Sequence, residues 1–548
     1  MKTKIFLLFL VFNFLTNATI AQKEDKKTGK IGYKIKMQDA RHKYLADGNA
    51  RAALNVYREL LVDYTNDAMV NYRIAECHYQ LKNYDLSVEY FQNAKNLNSE
   101  IDDELYFNLG QSYHRNNQLD ESLEAYNLFN AKASKKDRKY YNIASRISQI
   151  DYAKKMIANP VKVKIKNLGE NINSRGGDYA PSISADGKTM IFTSRRSNTK
   201  GGGVDKAGDF KYFEDIYISD WDSVGNTWGK ARPIEGKLNT EGHDASLSIS
   251  PDGNQIFIYR NDGEVYIGDI FVSKKRLSSS TWGNPKPLEK PINTTYFESS
   301  ACLSADGNKL YFVSEKEGKK YGAQGQGDIY VAEKISRTLW GEPKNLGPII
   351  NTSSDEISVF IHPDGKTLFF SSKGHLSIGG LDIFMSKIQE DGTWGKPENL
   401  GFPINTIGDD VHFIMSTDGK TAHYSSVKES GLGERDIYKI ELSDYPIISD
   451  GVAVNLSILR GVVESGEEKV PANLEFKNID GEVVGKTSCD DDGNYFITLT
   501  GGKNYNAKVT AEGFTTITQK IDIPLGKGGK TFVKVEKYQL NRVIVPSD

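Results

Sequence analysis

Small and aromatic residues recur with helical spacing in three similar segments near the N-terminus, residues 44–61, 78–94 and 113–129. In each segment an aromatic residue follows a small one four positions later, and the segments repeat after 34 and then 35 residues: Ala53 and Tyr57, Ser87 and Phe91, Ser122 and Tyr126. A small residue lets two helices approach closely, and an aromatic residue one turn on fills the space beside it. The pattern predicts three helical hairpins and a further helix from about 137 to 158, which together form a curved solenoid over residues 33–158.

From residue 160 onward apolar positions alternate with polar ones, which is typical of strands. Five similar phrases each place an Asp-Gly pair between two alternating runs, as in a tight hairpin, and their turn aspartates are Asp186, Asp252, Asp306, Asp364 and Asp418. Each copy continues into a third strand that begins with Asp-Ile, and the first four continue into a Trp-Gly strand. Four strands per unit and five units predict a five-bladed β-propeller over residues 161–442.

The fifth unit has no Trp-Gly strand after its Asp-Ile strand. The segment 161–174, which precedes the first unit, contains NLGENINS, and this parallels NLGFPINT at residues 399–406. We therefore expect residues 161–168 to supply the missing outer strand beside Tyr438, so that the ring closes and no sheet edge is left open.

One acidic residue lies eight positions before every turn aspartate: Asp178, Asp244, Glu298, Glu356 and Asp410. Each opens an innermost strand, so the five carboxylates could surround a mouth of the central channel and attract a cation or a basic segment of a partner. The alternative is structural, because each acid could accept backbone N–H bonds from a neighbouring blade and hold the ring together. The presence of the feature in every blade favours the structural alternative.

Differences between the repeated units indicate where recognition would occur. The first unit carries an insertion at 195–214, and the third carries one at 315–327. Both are rich in glycine and lysine and lie between the second and third strands, so we expect them on one rim. Solvated loops without a role are an equally good interpretation.

Short alternating strands return in the C-terminal region, separated by DG, DDDG, GG and EG turns between residues 459 and 514. They predict a β-sandwich over residues 455–540. The DDDG sequence at 490–493 lacks the alternating ligand spacing of a calcium loop, so we interpret it as a turn.

The N-terminus carries the three-part pattern of a secretory signal peptide over residues 1–21, with Lys2 and Lys4 before an apolar run. Its removal would change the formal charge from −2 to −4, which does not favour a nucleic-acid partner. No later apolar run approaches the roughly 20 residues of a membrane helix. The three cysteines, Cys77, Cys302 and Cys489, lie in different regions and are interpreted as buried thiols. We expect an exported periplasmic protein without a transmembrane span.

Catalytic and metal-binding motifs do not occur in the sequence: there is no G-x-S-x-G, H-E-x-x-H, C-x-x-C or Walker loop. The eight histidines show no ligand spacing. The sequence therefore predicts a protein that is not an enzyme and that has no cofactor, metal or catalytic residue.

Each of the three regions contains sequence stretches that resemble a known family. LGQSYHRNNQLDESLEAYNLF at 109–129 resembles the tetratricopeptide repeat. The SADG and SPDG phrases, each followed by an alternating strand, resemble the TolB-type, WD40-like propeller repeat over about half of the chain. The stretches RGVV, DDDGNYFITL and YNAKVTAEGF resemble the carboxypeptidase regulatory-like domain, a transthyretin-type sandwich.

The order of these modules is similar to that of Bacteroidetes envelope proteins, including a peripheral outer-membrane component associated with type IX secretion and gliding. In that family an OmpA-like domain generally follows and binds peptidoglycan. This chain ends at YQLNRVIVPSD, so its residues do not support peptidoglycan binding. The resemblance implies a non-enzymatic adaptor that docks envelope or outer-membrane proteins.

Three functions follow as hypotheses. The first is an interaction scaffold that uses the helical repeats and the propeller. The second is a glycan- or peptide-binding receptor module that uses the propeller rim, and an Asn or Asp cluster with exposed aromatic residues on one rim would favour it. The third is a hydrolase or lyase, and asymmetric histidine or carboxylate pairs in the channel would favour it.

Overall fold

The structure is a computed structural model that divides into two compact units, Met1–Ile150 and Asp151–Asp548. It describes residues 29–206, 209–261, 267–275, 281–336, 339–442, 444–445, 456–526 and 531–543. The predicted signal peptide, residues 1–21, lies outside the described residues.

The N-terminal region is helical, as its spacing of small and aromatic residues predicts. Its helices are α1 (Lys30–Leu45), α2 (Ala50–Asp63), α3 (Ala68–Gln80), α4 (Tyr84–Leu97), α5 (Leu105–Arg115), α6 (Leu119–Lys132), α7 (Lys135–Tyr140) and α8 (Ile143–Ala158). The helices α1 and α2, α3 and α4, and α5 and α6 pack in consecutive pairs.

The small residues of the repeats lie where paired helices touch. The Ser87 hydroxyl in α4 donates a 3.0 Å hydrogen bond to the Ala75 carbonyl of α3, and the Ser122 hydroxyl in α6 donates one of 2.7 Å to the Gly110 carbonyl of α5. A side chain therefore bonds directly to the backbone of the facing helix. This close approach is possible because Ala75 and Gly110 present little or no side chain there.

The single helix expected over residues 137–158 is wrong, because two helices occupy this stretch. Helix α7 ends at Tyr140 and α8 begins at Ile143. Between them Asn142 has a φ of 48°, which no α-helix accommodates. The ring of Tyr141 packs against Phe107 and Phe129, with centroid distances of 4.5 and 5.4 Å. This packing holds the chain outside the helical path.

Five antiparallel sheets follow in chain order. The first contains β2 (Asp178–Ile183), β3 (Thr189–Ser194), β4 (Asp215–Asp222), β5 (Thr227–Trp228) and β6 (Arg232–Pro233); the second contains β7 (His243–Ile249), β8 (Gln255–Asn261), β9 (Ile267–Lys274) and β10 (Lys286–Pro287). The third contains β11 (Glu298–Leu303), β12 (Lys309–Ser314), β13 (Asp328–Glu333) and β14 (Lys344–Asn345); the fourth contains β15 (Glu356–Ile361), β16 (Thr367–Ser372), β17 (Asp382–Lys387) and β18 (Glu398–Asn399). The fifth contains β19 (Val411–Met415), β20 (Thr421–Ser426), β21 (Asp436–Glu441) and the earlier β1 (Lys164–Asn167).

The first strands of these sheets form a closed cycle. β2 contacts β7, β7 contacts β11, β11 contacts β15, β15 contacts β19, and β19 contacts β2. The hydrophobic clusters lie between neighbouring sheets and contain residues of both. The arrangement is propeller-like, with the sheets placed around a common centre.

The segment before the first sheet closes this ring, as the NLGENINS sequence predicts. Strand β1 pairs antiparallel with β21, and Asn167 lies opposite Tyr438. Farther on, the buried Asn173 side chain accepts a 2.9 Å bond from the Ile437 amide and donates one of 2.9 Å to the Ile437 carbonyl. The last sheet therefore receives its outer strand from the opposite end of the repeated region.

The outer strands are shorter than the sequence predicts and lie elsewhere. Strands β6, β10, β14 and β18 have two residues each and begin four residues after the tryptophan of their unit. Trp282, Trp340 and Trp394 form only isolated bridges with the ends of the third strands. Each Trp-Gly nevertheless bonds to the end of the third strand: the Gly283 amide donates to the Lys274 carbonyl, and the Ser273 hydroxyl donates to the Gly283 carbonyl.

Two further sheets share one hydrophobic core in the C-terminal region. One contains β22 (Leu456–Ser465), β23 (Glu468–Lys469), β26 (Asn494–Thr500) and β29 (Val533–Gln539); the other contains β24 (Asn473–Lys477), β25 (Val483–Ser488), β27 (Lys503–Thr510) and β28 (Ile517–Ile523). At the DDDG turn, Asp490 accepts bonds from the amides of Asp492 and Asn494. The Asp490 carboxylate therefore forms its hydrogen bonds within the turn.

These two sheets lie against the Asp-Gly turns of the ring. The Thr498 hydroxyl donates a 2.7 Å bond to the Pro363 carbonyl, and the Thr487 hydroxyl lies 3.5 Å from the Asp306 carbonyl. The C-terminal sheets therefore meet the turns of the third and fourth sheets of the ring.

Candidate functional site

The five carboxyls predicted to surround the channel mouth are Asp178, Asp244, Glu298, Glu356 and Asp410, and all of them are completely buried. Each accepts hydrogen bonds from both the hydroxyl and the backbone amide of the residue four positions earlier, which is Ser174, Thr240, Thr294, Thr352 or Thr406. These donors lie in the segments that lead from one sheet to the next. The geometry favours the structural alternative, and partner binding by the ring stays a prediction.

The charge that faces the buried acid differs from sheet to sheet. Arg196 lies 2.6 Å from Asp178 and Arg260 lies 3.0 Å from Asp244. In the fourth sheet Gly374 stands where the first has Arg196, and within the described residues no ion pair reaches Glu356. Burial without a neighbouring cation raises the pKa of Glu356 to about 7.

The pKa of Glu356 predicts a pH dependence of stability. Its folded-state pKa of about 7 lies above that of an exposed glutamate, so its stabilising contribution is complete below about pH 4.3 and is lost as the pH rises through 7. We expect Glu356→Gln to raise the free energy of unfolding by about 1–3 kcal/mol at pH 8 and to change it little at pH 5. Urea unfolding followed by tryptophan fluorescence measures this.

A matched substitution in the second sheet should behave in the opposite way. Asp244→Asn removes the partner of the half-buried Arg260, so we expect a loss of roughly 3 kcal/mol at pH 8. If both variants lose stability equally at pH 8, the assignment of an unpaired acid to the fourth sheet is wrong.

A second set of buried acids was missed in the sequence. Asp328, Asp382 and Asp436 open the third strands of the third, fourth and fifth sheets. The carboxylate of each accepts hydrogen bonds from two backbone amides of the preceding loop and from one asparagine side chain. Burial raises the pKa of Asp382 to about 7. The recurrent Asp-Ile that opens each third strand was the available signal, and these acids also have a structural role.

One polar cluster breaks the repetition of the ring, and the insertion at 195–214 supplies much of it. The Tyr179 hydroxyl donates to the Glu214 carboxylate, whose other oxygen lies 3.2 Å from His243 Nδ1. His243 Nε2 lies 3.4 Å from Asp205 Oδ2. The neighbouring Glu214 carboxylate raises the pKa of His243, and burial together with Glu214 raises the pKa of Tyr179 well above its usual value.

Among the described residues of the ring, no other pair of neighbouring sheets offers this combination. The positions equivalent to Tyr179 hold Ala245, Ser299, Ile357 and Val411. The His412 ring lies 6.1 Å from the Tyr179 ring and nearly parallel to it. The sequence indicated that the insertion could carry recognition, but it could not show that Glu214 meets Tyr179 and His243.

A second polar network joins the first helices of the three helical pairs. Arg41 of α1 donates a 3.1 Å bond to Glu76 of α3, and Arg73 of α3 donates bonds of 2.8 and 2.9 Å to the same carboxylate. The Asn108 side chain of α5 donates a 2.8 Å bond to the Tyr72 hydroxyl of α3. We call α1, α3 and α5 with this network the first-helix face.

The first-helix face is only partly covered. The Arg41 side chain is 34% exposed, while those of Arg73 and Glu76 are 17% and 15% exposed. On α1, Ile31, Ile35 and Leu45 follow one side of the helix and are more than half exposed. Charged groups with remaining solvent access and exposed apolar residues give this face the means to bind a polypeptide segment.

The three cysteines lie in the interior of the folded regions. Cys77, Cys302 and Cys489 are buried, and burial raises the pKa of both Cys77 and Cys302 to about 12. The described part of the chain contains no cluster of three histidine, cysteine or acidic side chains placed to hold a metal ion. In the same part, no helix is both long and apolar enough to cross a membrane.

Family models confirm the helical repeats. Two models of the tetratricopeptide repeat match residues 42–103 and 103–129. These matches cover all three segments in which the small and aromatic residues recur. No curated protein sequence matches the chain.

Several solved structures are similar to parts of the chain. The Yersinia enterocolitica type III secretion chaperone SycD, in complex with a peptide of the translocator YopD, is 17% identical, with a TM-score of 0.22 over 24% of this chain and 99% of that one. The α-L-arabinofuranosidase of Lactobacillus brevis is 13% identical, with a TM-score of 0.33 over 50% of this chain and 94% of that one. Trypanosoma rangeli sialidase is 10% identical, with a TM-score of 0.32 over 68% and 91%.

Proposed function

We propose that the chain is a non-enzymatic protein-interaction scaffold, exported to the periplasm and held peripherally at the outer membrane. The observation that carries the proposal is the first-helix face, where a charged network spans consecutive tetratricopeptide repeats. The partner is a segment of an envelope or outer-membrane protein. No nucleic acid, cofactor or transmembrane span takes part.

The charges of the first-helix face suit this role. Arg41 and Arg73 both bond to Glu76, and Arg73 also lies 3.9 Å from Asp102, so Arg41 is the guanidinium of this network that keeps most capacity for a further acceptor. An arginine that is partly desolvated in this way binds a carboxylate or carbonyl more strongly than a fully exposed one. The exposed Ile31 and Ile35 supply an apolar contact on the same helix as Arg41.

The finer architecture belongs to the same proposal. We interpret the five sheets as a five-bladed TolB- or WD40-like propeller over residues 161–442 and the C-terminal sheets as a carboxypeptidase regulatory-like sandwich over 455–540. In this interpretation the propeller is a rigid second platform. The biological setting is envelope assembly or type IX secretion and gliding.

A second candidate function is a receptor module that binds a glycan or peptide at the propeller rim. The cluster of Tyr179, Glu214 and His243 favours it, since these polar groups and an aromatic ring meet where the first and second sheets adjoin. The same asymmetric cluster is also where a hydrolase or lyase site would lie. Measurable turnover of a glycan or peptide by the full chain that is lost in Glu214→Gln would replace the scaffold proposal.

Charge reversal on the first-helix face tests the scaffold proposal. Full-length protein carrying Arg41→Glu should fail to recover the membrane partner that the unchanged protein recovers from envelope fractions, because the reversed charge repels the acceptor groups of the partner. We expect at least tenfold weaker binding when the purified partner is titrated, a difference of about 1.4 kcal/mol.

The matched control is Arg58→Glu, which makes the same charge change on the exposed side of α2 in the same repeat. It should leave binding unchanged. Equal recovery of the partner by both variants, or equal loss, contradicts a role for the first-helix face.

A further inference from the structure

The outward side of the sheet that contains β24, β25 and β27 carries polar residues in regular cross-strand rows. Asn473 lies between Ser488 and Thr510, and in the next row Glu475 lies between Lys486 and Lys508. Residues directly opposite each other in a sheet point to the same face. Six polar side chains from three strands therefore share one flat surface, which we call the polar array.

The polar array has an excess of positive charge. Lys486 lies 3.1 Å from Glu475, and Lys477, one row further along β24, lies 3.5 Å from it. Lys508 makes no ion pair with any described residue, and its side chain is exposed. Lys486 and Lys477 thus share the Glu475 carboxylate, whereas the ammonium group of Lys508 retains the capacity to bind an anion.

A turn of the ring converts part of this surface into a cleft. Asn308 follows the Asp-Gly turn of the third sheet and faces the array. Its side-chain nitrogen Nδ2 lies 3.5 Å from the Lys486 carbonyl oxygen. The cleft has a volume of about 310 Å³ and is lined by Asn308, Asn473, Leu474, Glu475, Lys486, Thr487, Ser488, Lys508 and Thr510. Small-ligand sites in proteins begin at about this size, roughly 300 Å³.

We propose that this cleft binds an anionic saccharide unit, with its oxyanion on the exposed Lys508 and its hydroxyls on Asn308, Asn473, Ser488 and Thr510. Ammonium groups bind carboxylate or phosphate through charge-assisted bonds. Amide and hydroxyl side chains both donate and accept, which matches the hydroxyls of a sugar ring. The oxyanion can be the carboxylate of a sugar acid or the phosphate of a sugar phosphate.

An extended acidic peptide fits the cleft less well. Peptides that add to sheets use a free strand edge and pockets for alternate side chains. Here the six polar residues of the array lie on the face of the sheet, and Leu474 is the single apolar residue of the lining. The Asn308 turn also limits the length of the cleft, which suits a compact ligand.

Ligand-observed NMR titration of the full-length protein tests the proposal with glucuronate, glucose 6-phosphate, glucose and inorganic phosphate as probes. We expect saturable binding of at least one of the two anionic sugars. Glucose and inorganic phosphate should each bind at least tenfold more weakly, because each offers only half of the required groups. The better of the two anionic sugars identifies the oxyanion.

Lysine substitutions on one strand locate the binding. Lys508→Gln should weaken binding of the anionic sugar about tenfold, as expected for loss of one charge-assisted bond. Lys503→Gln, on the same strand but on the opposite face, is the matched control and should leave binding unchanged. Asn308→Ala, a substitution outside the C-terminal sheets, should also weaken binding of the anionic sugar.

Four results overturn the proposal. They are no saturable binding of either anionic sugar, equal weakening by Lys503→Gln and Lys508→Gln, phosphate binding as tight as that of glucose 6-phosphate, and tighter binding of an acidic dipeptide such as Asp-Ser. None of these bears on the scaffold function, which rests on the first-helix face.

Discussion

Replacing Asn173 by leucine is expected to lower the free energy of unfolding of the ring by about 3 kcal/mol. The Asn173 side chain satisfies both the amide and the carbonyl of Ile437, which lies 264 residues away and is fully buried. Leucine fills a similar volume but leaves the Ile437 amide without a partner, while the carbonyl keeps only its 3.2 Å bond from the Leu168 amide. A buried group left unpaired costs about 1–3 kcal/mol.

Tryptophan fluorescence during urea unfolding measures this loss. All five tryptophans, Trp221, Trp228, Trp282, Trp340 and Trp394, lie in the ring region, so the signal reports on that region. Asn405→Leu is the matched variant, because Asn405 makes the same pair of bonds to Ile383 inside the repeated region. The two variants should lose similar stability. A neutral Asn173→Leu beside a destabilised Asn405→Leu would mean that the ring does not close through its N-terminal segment.

A leucine at position 110 is expected to unfold the third helical pair. A Cβ placed on Gly110 would lie 2.6 Å from the ring of Tyr126, which is itself almost completely buried. The three further carbons of leucine have no space between α5 and α6, where the Ser122 hydroxyl bonds to the Gly110 carbonyl. We expect a loss of about 4 kcal/mol or more, since overpacking alone costs about 1–3 kcal/mol and the Ser122 bond is lost with it.

Far-UV circular dichroism during heating follows the helices, while tryptophan fluorescence reports on the ring region as an internal control. Gly110→Ala should cost less than the leucine variant, because it lacks the three further carbons, but it should still destabilise the pair, since its Cβ alone would lie 2.6 Å from the Tyr126 ring. If Gly110→Leu keeps its full helical signal and melting temperature, the packing of α5 on α6 differs from that described.

Much of the fold could be predicted because the same residues make the same turns and hydrogen bonds in each repeated unit. The glycine of each Asp-Gly turn has a positive φ, 70° at Gly187 and 69° at Gly365, so the pair is required wherever the turn occurs. The parallel between NLGENINS and NLGFPINT predicted the pairing of β1 with β21, because the same residues serve the same bonds. Asn173 and Asn405 show this directly.

The errors arose where one contact decides the path of the chain. The break between α7 and α8 depends on Tyr141 packing against Phe107, which is 34 residues away and leaves no local trace in the sequence. The outer strands were misplaced because the tryptophans have strong strand propensity, whereas the pairs that form outer strands, such as Lys286 and Pro287, do not.

The candidate sites were predictable only in part. Both roles of the ring acids could be stated from sequence, but choosing between them needed their burial and their bonds to residues such as Thr352. The cluster of Tyr179, Glu214 and His243 joins three positions separated by about 30 residues each, and no spacing rule connects them. The polar array required the strand register, because Glu475 meets Lys486 and Lys508 only in the folded sheet.

Hydrogen exchange of the full-length protein, alone and with its purified membrane partner, tests the central claim most directly. The scaffold account predicts that the partner slows exchange in α1, α3 and α5, over residues 30–45, 68–80 and 105–115, with the strongest effect near Arg41 and Arg73. Slowed exchange confined to the sheets, with no change in these three helices, would contradict it.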